Sequence, residues 1–266
     1  MSPRCGRSSA LNGIAIGGLA YLAAYGARTP LLALRALTRQ RNLALILVPA
    51  AGIGALALAL QGRVDGRIAA GAIALAIVPA PLVAPEIVGR MRGRADLAGA
   101  LALGTVIVSL LVIGSRGALA AGALFAGTEA FAISAMVANG LPVIRDLVLM
   151  PLRLIGWIAV ALVLVTAVIP ASSLLFEGPP IGTEPPLIVT SAIVAFALFA
   201  TGVLASVVVT RTLGGDPRAV LGGAGLRDPA LGVALATIAS GPDSTGVPLL
   251  YAVFCLGLAA FALRRR

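Results

Sequence analysis

The stretch Val78-Pro79-Ala80-Pro81-Leu82-Val83-Ala84-Pro85-Glu86 puts three prolines within seven residues of an apolar run and ends on an acid. About 145 residues later, Gly222-Gly223-Ala224-Gly225-Leu226-Arg227-Asp228-Pro229-Ala230 surrounds two charges with glycines and a proline. Each proline deletes a backbone donor and clashes with the preceding turn, and glycine relaxes a helix, so both runs are expected to break near their middles, at Pro81 and Pro85 and at Gly223, Gly225 and Pro229. Unwound backbone at membrane depth must face protein or a water-filled cavity. One such break in each half of a chain is the pattern of an inverted-repeat secondary transporter, in which the breaks meet near the midplane and form the site. Ordinary proline kinks would give the same spacing without function; Glu86, Arg227 and Asp228 at the breaks favour the functional reading.

Composition places these runs in a bilayer. Of 266 residues, 59% are hydrophobic and 11% charged, and the mean hydropathy is +1.05. A chain so poor in charge cannot cover a water-facing surface. Nine apolar spans are expected at roughly 10–27, 42–62, 68–89, 97–115, 117–140, 152–176, 186–210, 218–240 and 246–263. They form one all-α membrane bundle over 1–266, with halves of about 10–140 and 152–263. Phe176 to Pro186, FEGPPIGTEPP, carries four prolines and two acids and reads as an extracellular hairpin. Abundant Gly and Ala suit close helix packing in lipid.

The formal charge of +10 comes from twenty basic residues, all Arg. They fall between apolar segments rather than in one polybasic run, which argues against nucleic acid. With the N-terminus outside, fourteen arginines lie on the inner side, among them Arg90, Arg92, Arg94, Arg211 and Arg218, and five on the outer side. That asymmetry predicts an N-out, C-in multi-pass protein of the cytoplasmic membrane. The first thirty residues share features of a secretory signal, but Tyr25 stands where a small residue is wanted, and cleavage there would export Arg28 to Arg41. With no His, and with Cys5 and Cys255 at opposite ends, zinc, haem, disulfide and His-based catalytic chemistry lack their residues.

Four ionisable residues fall within spans: Glu86, Glu129, Arg227 and Asp228. Each costs about 2.5–3.5 kcal/mol near the bilayer centre unless it has a partner or a polar cavity. An excess carboxylate in a partly dry cavity has a raised pKa and suits proton coupling through Glu86 or Asp228; equally, Arg227 could neutralise one of them as a structural pair. Free N–H groups at a half-helix N-terminus, together with Arg227, could hold an organic anion, with Thr105 and Ser109 as polar contacts.

These segments resemble the bile acid:sodium symporter family. Pro81-Leu82-Val83-Ala84-Pro85-Glu86, then Gly93-Arg94-Ala95-Asp96-Leu97-Ala98 and the span to Ser109, are similar to that family's first break, short turn and following helix. Gly225-Leu226-Arg227-Asp228-Pro229-Ala230 is similar to its second break, typically Gly-Met-(Gln/Arg)-Asn. The resemblance implies a core domain holding two crossed broken helices, a panel domain rocking against it, and transport of organic anions, usually with sodium. Glu86-Ile87 replaces the family's Ser-Asn, Gly223 its Glu and Arg227 its Gln. A fixed guanidinium repels sodium, so the chain is expected to transport a small organic anion with altered or absent sodium coupling. A proton is the other candidate coupling ion, and no cofactor is expected.

Two further readings stand beside this one. A cation/proton antiporter also uses crossed broken helices, but the paired Asp motif is missing. A non-transporting scaffold would need the buried charges for folding alone. An intramembrane enzyme has no nucleophile or metal constellation to build on.

Overall fold

The computed structural model describes residues 39–81, 84–114 and 187–264, together with the helical positions 151, 154, 158, 161 and 165. The spans expected at 10–27 and 117–140, most of the span at 152–176, the hairpin at 176–186 and the first thirty residues lie outside them. The described segments are helical: α1 Gln40–Leu60, α2 Gly66–Ile77, α3 Ala84–Arg90, α4 Ala95–Gly114, α5 Leu187–Leu213, α6 Pro217–Val220, α7 Pro229–Ser240 and α8 Gly246–Arg264. A π turn, Leu221–Gly225, extends α6, and a 3-10 turn, Pro242–Ser244, follows α7.

Two of these helices, α1 and α5, are long and apolar enough to cross a membrane, and α2, α4 and α8 contain shorter apolar helical stretches. The bundle is therefore compatible with a membrane setting. Its outside is aliphatic: Leu111, Leu204, Ile193, Leu256 and Val253 are all more than 60% exposed. Along α5 the usual polarity is inverted, with Ser191, Gly202, Ser206 and Thr210 turned inward while Ile193, Phe196 and Leu204 face out. Hydroxyls inside a bundle need partners, and here they bond back to their own helix, Ser206 to the Gly202 carbonyl and Thr210 to that of Ser206.

Both proline- and glycine-rich runs interrupt their helices. Helix α2 ends at Ile77, Val78 is extended, and α3 starts at Ala84. Pro85 is the second residue of α3, where a missing N–H costs no helical bond. In the second run the glycines widen the helix instead of ending it. The Leu226 N–H bonds the Leu221 carbonyl five residues back at 3.0 Å, and the chain leaves the helix at Leu226–Asp228. Pro229 opens α7.

The two halves pack alike. Helix α1 lies on α5, α2 on α7, and α3 on the π turn. The contacts of α2 with α8 reappear as those of the π turn with α4, and α3 with α4 as α7 with α8. The first part of each interrupted helix thus meets the second part of the other, so the two run antiparallel. Small residues permit this closeness: a Cβ on Gly202 of α5 would overlap the Gly225 carbonyl oxygen, and one on Gly223 would overlap that of Ala98.

The turns at the α3–α4 and α5–α6 ends interlock. The Asp216 carboxylate accepts from the Arg94 N–H and, at 3.0 Å, from the Arg218 N–H, while the Arg218 guanidinium donates to the Met91 carbonyl. Arg41 at the start of α1 lies beside Gly214, so Arg41, Arg90, Arg92, Arg94, Arg211 and Arg218 gather at one end of the bundle.

Candidate functional site

The two interruptions touch. The Asp228 N–H donates to the Pro79 carbonyl at 2.9 Å, joining one break to the other. At the matching place in the first break Pro81 has no N–H to return. Two further backbone donors are held by side chains of the helix that follows each interrupted helix. The Ala80 N–H donates to Thr105 Oγ1 of α4 at 2.9 Å, 25 residues on, and the Arg227 N–H to the Tyr251 hydroxyl of α8 at 3.1 Å, 24 residues on. Unwound backbone is costly only when its donors go unpaired, and here each half supplies one hydroxyl for that purpose. Thr105 also donates to the Ala102 carbonyl at 2.7 Å, which fixes its rotamer.

Asp228 caps α7. Its Oδ1 accepts the N–H groups of Ala230 at 3.0 Å and Leu231 at 3.1 Å. The free N–H donors expected at this half-helix are therefore taken by the chain's own carboxylate, the arrangement that Asp-Pro at a helix start favours. Asp228 is 5% exposed and lies in the wall of a cavity of about 170 Å³ between α3, α6 and α8, which also includes Cys255 and Arg218.

Arg227 belongs to a different cavity. It is 2% exposed, Nε has no hydrogen-bond partner, and it makes no ion pair with Asp228 or any other acid among the described residues. The cavity it helps to line has a volume of about 370 Å³ and lies between α1, α2 and α4. Among the described residues, Thr105 and Ser109 are its other polar wall residues, and the rest of the wall is Leu, Ile, Val, Ala and Gly. Ser109 is 3% exposed. A guanidinium is always charged and presents five donors in a fixed fork, so a cavity that offers one amid aliphatic carbon is suited to a single anionic head on an apolar body.

The structure thus brings Arg227, Thr105 and Ser109 to one cavity and turns the neighbouring Asp228 to another. Glu86 lies in α3, with its side chain outside the described structure, and Glu129 lies outside the described residues. Gly223 and Gly225 sit in the π turn against Ala98 and Ser206. Among the described residues no cluster of three or more His, Cys, Asp or Glu side chains forms a metal site. Sequence reasoning passed over Tyr251, whose only signal was a phenol within an apolar span, and Asp216, a loop acid.

Compared with known proteins, the chain matches no family model and no characterised protein.

Proposed function

We propose that the chain is a multi-pass transporter of a small organic anion, built as an inverted repeat and working by alternating access around its two helix breaks. The single observation that carries this reading is Arg227, a buried cation without an acidic partner among the described residues, in the wall of a cavity beside the meeting of the breaks. Buried unpaired charge is strongly unfavourable and is kept where it binds something. The antiparallel packing of the two interrupted helices and their matched Thr105 and Tyr251 contacts support the inverted repeat. A guanidinium at the break opposes a sodium ion there, so coupling is to protons or absent. The arginine-rich end faces the cytoplasm, giving N-out, C-in in a cytoplasmic membrane.

Uptake of a labelled organic-anion panel into proteoliposomes preloaded with the same unlabelled anions, with sodium and proton gradients imposed separately, tests this reading. Wild type is expected to show flux that survives removal of sodium, and folded Arg227→Gln to lose at least 90% of it. Sodium-dependent flux would overturn the coupling assignment, and no flux across the panel would overturn transport.

A further inference from the structure

We propose that the Arg227 cavity makes this protein an obligatory exchanger of apolar-bodied monoanions, a carrier that reorients with an anion on the guanidinium and does not return empty. The inference rests on the transporter reading above and deepens it.

Three observations lead there. The guanidinium is buried and its Nε unpartnered, and Asp228, the acid next to it in sequence, is spent on capping α7. No carboxylate is among the described residues of the cavity wall. Ser109 supplies a buried hydroxyl in the same wall. A transport cycle passes through a state closed to water on both sides, and there an empty site leaves a bare guanidinium among aliphatic side chains. A bound anion supplies the missing charge and accepts the unpartnered Nε–H, so the loaded form crosses this state far more readily than the empty one. Net movement then stalls after one turnover, whereas one-for-one exchange continues.

The wall also sets the ligand class. One cation neutralises one anionic group, and a second negative charge would lie uncompensated against Leu47, Ile73 and Val108. A volume of about 370 Å³ is at the lower end of the roughly 300–1,000 Å³ typical of ligand sites, so the body is compact.

The probe is labelled 4-methylbenzenesulfonate, which stays ionised and does not cross lipid as a free acid. The full-length protein is reconstituted in liposomes without sodium, at equal pH on both sides, with potassium and valinomycin holding the potential near zero. The lumen contains either unlabelled 4-methylbenzenesulfonate or potassium sulfate. Initial uptake is expected to be at least tenfold faster into the sulfonate-loaded vesicles, equivalent to about 1.4 kcal/mol between the loaded and empty crossings. Benzene-1,3-disulfonate in tenfold excess is expected not to compete.

In detergent, 4-methylbenzenesulfonate is expected to raise the unfolding temperature of wild type and not that of Arg227→Gln. Arg227→Lys should retain part of the rise, and Ser109→Ala should weaken binding severalfold with the fold intact. Equal uptake into both kinds of vesicle would overturn exchange and leave the transporter reading standing, since it would mean that another acid, Glu86 or Glu129, covers the guanidinium on the return. Binding without flux in either vesicle would overturn exchange and transport together. Neither binding nor flux would overturn the site itself.

Discussion

Arg227 is an expensive residue to keep buried, and its removal separates a functional charge from a structural one. If it holds an ion pair that the fold needs, Arg227→Gln should destabilise the protein by about 3–5 kcal/mol. With no acidic partner among the described residues, we expect the ligand-free variant to unfold at the same temperature as wild type or above it, measured by thermal denaturation in detergent, while anion binding disappears. The two hydroxyls have the opposite character. Thr105→Val and Tyr251→Phe each leave a buried break N–H without its acceptor, and each is expected to cost about 1–3 kcal/mol in chemical denaturation. Arg227 was legible in the sequence because an arginine inside an apolar span stands out. Tyr251 was not, since the bond that gives it a role closes over 24 residues and depends on how α8 lies against the break. Asp228 was singled out, but its capping role follows from Pro229 starting a helix, which a run of glycines obscures. The exposed Arg94–Asp96 pair at 2.8 Å lies outside the apolar spans. The hydrogen bond from Arg94 holds the Asp96 carboxyl below the usual carboxylate range, so its small stabilisation is complete above that range and lost as pH falls through the lowered value. Asp96→Asn should therefore change stability at pH 7 by less than about 1 kcal/mol, and by less still in acid.

At the scale of elements, the helices follow from apolar runs bounded by polar turns. Their described ends, such as Gln40–Leu60 and Leu187–Leu213, lie within a few residues of the spans expected at 42–62 and 186–210. The breaks were legible as places but not as shapes. Sequence pattern weighs Gly222 to Gly225 as helix-breaking, whereas packing against Ala98 and Ser206 uses them as a widened turn, and the chain leaves the helix only at Leu226. Pro85 likewise starts α3 rather than interrupting it. A Cβ at Gly223 would meet backbone rather than a movable side chain, so Gly223→Ala is expected to cost about 1–3 kcal/mol. Gly257→Ala on α8, with nothing within 4 Å of the new methyl, should leave stability within about 0.5 kcal/mol. Parallel denaturation curves of the two variants check this, and equal effects would mean that the π turn is not closely packed.

Across the whole molecule, the described helices bury an apolar core with a few polar side chains and turn aliphatic side chains outward, which is compatible with the bilayer that the composition suggests. The repetition of contacts between halves arises from two interrupted helices laid antiparallel, each steadied by a hydroxyl from the helix after it. No local signal in the sequence carries that relation, because the two halves share little beyond the spacing of their breaks. It is also what places one cavity on the α2 side of the breaks, with Arg227, and another on the α3 side, with Asp228. The most direct test is an anomalous diffraction measurement on crystals of the full-length protein soaked in 4-bromobenzenesulfonate. A bromine peak inside the cavity between α1, α2 and α4, with the sulfonate against the Arg227 guanidinium, is the predicted result; a guanidinium paired to Glu86 or Glu129 with no bromine in the cavity would contradict it.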